Sequence, residues 1–142
     1  MREIIEDGEA MLKITPFDIG KHHIRVRMVV LSRLGSKHFL NAILDTGAPR
    51  TEISDRSLIL AGFPFEMKDV VPGKFQQTRK YAKVRLKNAK LLGQTLEDWV
   101  VHISKFDESW GIDALIGLDF FRQFEVRVNY KKREIATLRL AA

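Results

Sequence analysis

One carboxylate in this sequence stands where chemistry could use it. The stretch Leu40-Asn41-Ala42-Ile43-Leu44-Asp45-Thr46-Gly47-Ala48 places Asp45 directly after three apolar residues. Such a run reads as a strand buried on both faces, and a charge that follows it is costly unless it has a task or a partner. Gly47 permits a tight turn and close backbone approach by a second copy or a ligand. Thr46 supplies a hydroxyl that can hydrogen-bond across to neighbouring backbone. The tripeptide alone is weak, because chance produces it in roughly a few per cent of chains this long.

A second constellation lies far along the chain. Ala114-Leu115-Ile116-Gly117-Leu118-Asp119-Phe120-Phe121 joins an apolar strand end and a glycine to a short apolar helix. Asp119, at the helix start, reads as structural, since a carboxylate there caps free amides. Asp113 reads as a loop residue, Trp99 and Trp110 as core and loop packing. His22 and His23 are adjacent and would face opposite sides of a strand. His38 and His102 are scattered, so no zinc site is expected, and no cofactor.

The elements that must position these residues are short strands. Ile24, Val26, Met28 and Val30 alternate with Arg25 and Arg27, the pattern of a half-buried strand. Leu34-Gly35-Ser36-Lys37 reads as a turn, Phe39 to Leu44 as the strand entering Asp45, and Thr51 to Ser54 as extended. Asp55 to Gly62 fits a short helix with Ser54 or Asp55 as N-cap. Tyr81 to Leu86 alternates weakly. Leu91-Leu92-Gly93-Gln94 reads as a strand and tight turn, Trp99 to Ile103 as a strong strand, and Ser104 to Gly111 as a polar loop. Glu125–Tyr130 and Glu134–Leu140 read as strands joined at Lys131-Lys132-Arg133, after one or two helical turns from Leu118 to Phe124. Residues 1–20 fit neither period cleanly, and Pro16 breaks what precedes it. Many short strands with little helix predict a mainly β closed sheet or barrel. The expected organisation is an N-terminal extension or strand over 1–22 and a single domain over 23–142.

Taken together, the two constellations resemble the retropepsin-like (retroviral-type) aspartic proteases, in particular soluble bacterial-type domains. The likeness rests on Ile43-Leu44-Asp45-Thr46-Gly47-Ala48 and Leu115-Ile116-Gly117-Leu118-Asp119-Phe120-Phe121, in that order and at that separation, and spans roughly residues 23–140. It implies a closed β-barrel with one short C-terminal helix, acting as a two-fold homodimer on peptide or protein substrates. Asp45 would be catalytic, Thr46 would lock the two active-site loops together across the dimer axis, and Gly47 and Ala48 would line the substrate backbone. Gly117 and Asp119 would support that loop without doing chemistry. A flap between about Val71 and Lys83 would close over the peptide, with Gly73, Lys74, Phe75, Gln76 and Gln77 as its candidate tip. Gly73 is the one glycine between Phe63 and Leu92, where flaps of the family usually carry several. Leu118 stands where retroviral members often have a basic residue, and Pro49-Arg50 where an acidic or small polar residue often follows Ala48.

The chemistry needs two carboxylates a few ångströms apart that share one proton, because both cannot ionise at that distance. Asp-Thr-Gly occurs once, and 142 residues are too few for a two-lobed pepsin-like chain. The reading therefore entails a symmetric dimer with Asp45 of each subunit on the axis. Ala48 cannot donate a hydroxyl to the carboxylates as Ser or Thr can in relatives, so work at mildly acidic to near-neutral pH is expected.

Composition bounds the alternatives. The absence of cysteine excludes disulfides, thiolate nucleophiles and zinc–thiolate sites, and leaves the redox compartment open. The charged start Met1-Arg2-Glu3 has no apolar h-region, so no signal peptide is expected. The longest aliphatic stretch, Met28-Val29-Val30-Leu31, is too short to span a bilayer. The chain reads as cytoplasmic or as a soluble domain of a longer protein. Much of the net charge of +6 lies between Val70 and Leu96, with Lys74, Arg79, Lys80, Lys83, Arg85, Lys87 and Lys90 and no acid. Nucleic acid is a weak expectation there, since only Phe75 and Tyr81 could stack on bases and such runs usually keep a sheet face wet. The alternative function is a non-catalytic dimerisation or peptide-binding module on the same fold.

Overall fold

The predicted alternation from Ile24 onward materialises as β3 (Arg25–Leu31), with Val26, Met28 and Val30 buried. The computed structural model describes residues 2–6, 10–18, 22–32, 34–63 and 83–140. β3 turns at Gly35, whose φ of 86° suits glycine, and pairs antiparallel with β4 (Lys37–Leu44). After the Asp45 turn come β5 (Glu52–Ser54) and α1 (Asp55–Leu60). Ser54 caps α1 by accepting from the Ser57 amide, as its position before the helix predicts.

A long hairpin follows, β6 (Lys83–Leu91) and β7 (Gln94–Ser104). Both strands run further than their sequence periodicity suggests. The inward set shifts from Leu86 to Ala89 and Leu91 on β6, and from Leu96 to Trp99 and Val101 on β7. Asp98, at φ 52°, lies at this switch, and the pairing passes from Leu86–Trp99 to Asn88–Glu97. A period-2 reading loses the strand where its phase flips. β8 (Ala114–Ile116), α2 (Leu118–Phe121), β9 (Phe124–Asn129) and β10 (Glu134–Arg139) complete the chain.

Strands β3-β4-β8-β5-β7-β6 close into a barrel, which leaves none of the six with a free edge. A second sheet has the order β1-β2-β10-β9, where β1 is Arg2–Glu6 and β2 is Ala10–Pro16. The ambiguous N-terminal stretch thus contains strand: Leu12 and Ile14 are buried on β2, and Pro16, opposite Glu134, is its last residue. Ile135 of β10 and Phe17 belong to the same core as Met28, Leu86, Val101 and Phe120. Among the described residues no helix is long and apolar enough to cross a membrane.

Candidate active site

The Asp45 turn is built where β4 runs out between two neighbours. The Leu44 amide donates to Ile24 O at 3.1 Å, and the Asp45 amide to Ile116 O at 2.9 Å. β8 lies parallel to β4 and antiparallel to β5, so it occupies the gap that the chain must cross from one to the other. The crossing is tight: the Ala48 amide donates to Asp45 O at 3.1 Å, and the Gly47 amide to Asp45 Oδ1 at 2.9 Å. One carboxylate oxygen is thereby fixed by its own loop. A Cβ on Gly47 would stand 3.2 Å from that oxygen. Asp45 is half-buried, Thr46 and Gly47 are exposed, and Ala48 is buried.

The second constellation braces this turn from below. The Leu118 amide donates to Ala48 O at 2.8 Å. Gly117 passes so close that a Cβ there would meet Arg50 C at 2.6 Å and Ala48 O at 2.8 Å. Its amide donates to Thr51 Oγ1 at 3.1 Å, and that hydroxyl donates to Asp119 Oδ1 at 2.7 Å. Trp99 Nε1 donates to the other oxygen, Asp119 Oδ2, at 3.1 Å. Asp119 therefore does not cap α2 as its position suggests; Gly117 is the N-cap and makes no side-chain cap bond. The carboxylate instead serves two donors, Thr51 and Trp99, that are themselves buried and need an acceptor.

Asp113 also does more than a plain loop residue. It accepts from the Asn41 amide at 2.8 Å and from Ser57 Oγ at 2.9 Å, tying β4 to α1 just before β8 begins. Sequence reasoning missed Thr51, and read Trp99 as packing alone. The flap residues Gly73, Lys74, Phe75, Gln76 and Gln77 lie outside the described residues.

Asp45 opens onto a cleft of about 450 Å³ walled by Ile43, Leu115, Ile112 and Trp110, with Arg25 at its side. The Arg25 guanidinium donates to Trp110 O at 3.3 Å and Gly111 O at 3.4 Å, which holds the loop after β7 against β3. That loop contains the 3₁₀ turn Glu108–Trp110, capped by Asp107. Hydrogen bonds from the Ser109 hydroxyl and amide hold the Asp107 carboxyl below its ordinary range. Among the described residues no cluster of three His, Asp or Glu side chains could hold a metal ion.

Neither protein-family models nor curated proteins give a match to the sequence. Solved structures do. A retropepsin-like aspartic protease from Rickettsia conorii superposes with a TM-score of 0.63 over 94% of this chain and 95% of that one, at 16% identity. The fold is retropepsin-like. The retroviral protease-like domain of Ddi1 from Leishmania major agrees, with a TM-score of 0.53 over 82% of this chain and 94% of that one, at 14% identity. At such identity the likeness establishes the architecture, and within the retropepsin-like barrel Asp45 sits on the loop that β8 braces.

Proposed function

We propose that this chain is one half of an aspartic endopeptidase, with Asp45 of two subunits forming the catalytic pair. The observation that carries the reading is the Asp45 turn itself: a carboxylate fixed by Gly47, backed by Gly117, and open to a largely apolar cleft. One such carboxylate is half of the machinery. In the dimer the ionised partner takes a proton from a bound water, the water attacks the peptide carbonyl, and the protonated partner polarises the carbonyl oxygen. No bond to the enzyme forms: the tetrahedral adduct collapses, and its C–N bond breaks as the nitrogen takes the proton that the first carboxylate had accepted from the water. The exposed Thr46 at the tip of the turn is free to meet its counterpart across the axis.

Asp45→Asn tests this. Cleavage of a peptide library should fall by at least about a hundredfold, while sedimentation and circular dichroism report an unchanged dimer and fold. A wild-type protein that stays monomeric at assay concentration would sink the reading. A dimer that cleaves no peptide would instead assign the fold to a non-catalytic binding module.

A further inference from the structure

The outer face of the barrel carries a feature that the proposed activity does not use. Met28-Val29-Val30-Leu31 is apolar throughout, so the alternation that buries Met28 and Val30 turns Val29 and Leu31 outward, where both are half-buried. The register sets Phe39 opposite Val29 and Lys37 opposite Leu31. On the other side β6 brings Lys90 opposite Val29. These side chains line a shallow cleft of about 230 Å³, and Phe39 is 60% exposed within it.

The rim has one sign of charge. Lys37 and Lys90 are exposed, and neither ammonium has an ion-pair partner among the described residues. The Arg27 guanidinium lies 5.0 Å over the Phe39 ring. Among the described residues no acid lines the cleft; Glu97 of β7, opposite Asn88, stands outside it. A cross-strand pair such as Val29–Phe39 stabilises a sheet. That accounts for the pairing; the exposed lysines keep the face wet, and here they ring an apolar floor. Exposed cations beside an apolar floor complement a ligand whose carboxylates flank an apolar side chain.

We propose that this cleft docks an acidic segment of another protein. One aromatic or aliphatic side chain seats on Phe39, Val29 and Leu31, and neighbouring carboxylates meet Lys37 and Lys90. A second copy of this chain would bring its own net charge of +6 and the same cations to the same face, so electrostatics disfavours self-association there. The cleft lies toward the opposite end of β4 from Asp45, about 20 Å along the strand from Phe39 at the usual rise per residue. Occupancy therefore leaves the Asp45 cleft open.

The test uses labelled synthetic peptides titrated into the Asp45→Asn chain, so that none is cleaved. One alternates Glu with Leu, one Glu with Ser, and one Lys with Leu. The Glu–Leu peptide should bind saturably, and the other two at least about tenfold more weakly. Phe39→Ser, and separately Lys37→Glu with Lys90→Glu, should each weaken the Glu–Leu peptide by a similar factor. Val29→Thr serves as a second apolar variant if Phe39→Ser loses the fold by circular dichroism. Equal binding of the Glu–Leu and Glu–Ser peptides would mean diffuse charge attraction and overturn the proposal, as would full binding to Phe39→Ser or, in its place, Val29→Thr. Self-association of the chain, or saturable binding to phosphatidylserine vesicles, that the same variants abolish would assign the face to a second copy or a membrane, and equally overturn it.

Discussion

At the scale of single residues, the Asp45 turn depends on side chains that do no chemistry. The atoms that a methyl group on Gly117 would meet, Arg50 C and O and Ala48 O, are backbone and cannot rotate away. Gly117→Ala has to push β8 and the turn apart, at an expected cost of about 1–3 kcal/mol. Urea unfolding should show this as a lower midpoint with an unchanged slope. Asp119→Ala leaves the Thr51 hydroxyl and the Trp99 indole N–H facing an empty site, and should cost at least about 2 kcal/mol in the same measurement. If Asp119 merely capped α2, the loss would be nearer about 1 kcal/mol. Asp45 stood out in the sequence because a charge at the end of an apolar run breaks a local rule, and Gly117 because its segment carries the second half of the family resemblance. Thr51 did not. Its partner Asp119 is 68 positions away, and a hydrogen bond across that distance leaves no trace in either neighbourhood.

At the scale of elements, the barrel and the four-stranded sheet are joined at the β6–β7 turn. Leu92 and Gly93 are both left-handed, at φ 50° and 77°, as a two-residue hairpin of this twist requires. The turn docks on β10: the Thr137 hydroxyl donates to Leu92 O at 3.1 Å, and Gln94 Nε2 donates to that hydroxyl oxygen at 3.0 Å and to Thr137 O at 3.1 Å. All of this is buried. Thr137→Val keeps the shape, removes one donor and one acceptor, and should destabilise by about 1–3 kcal/mol. A hydrogen-exchange measurement should find β10 amides losing protection while β3 and β4 amides open only in global unfolding. The strands themselves were readable wherever one face stayed inward, as in β3. They blurred where the inward face changes, as at Asp98 of β7. β2 blurred for another reason: Ile14 and Leu12 alternate on it for too short a distance to outweigh the mixed residues before them.

At the scale of the whole molecule, the proposed chemistry turns on one number, the count of Asp45 carboxylates per site. The barrel presents the turn once, so under the proposed chemistry a complete pair takes a second copy of it. Dimerisation alone would not prove that the site is shared, since two independent sites could sit side by side. Mixing distinguishes the cases. Asp45→Asn keeps the carboxylate's size and should keep the fold, so mutant and wild-type chains exchange freely. A hybrid dimer has one carboxylate and cannot share a proton between two. At equal concentrations, about half of the wild-type chains should be drawn into hybrids, and activity per wild-type chain should fall to about one half. It should continue to fall in proportion as mutant is added in excess. Sites that are complete within one chain would show no such loss: activity would track the wild-type concentration however much mutant is present. The experiment needs only subunit exchange, confirmed by a mass or fluorescence label on one partner. Its dose dependence reads directly whether Asp45 acts alone or as half of a pair.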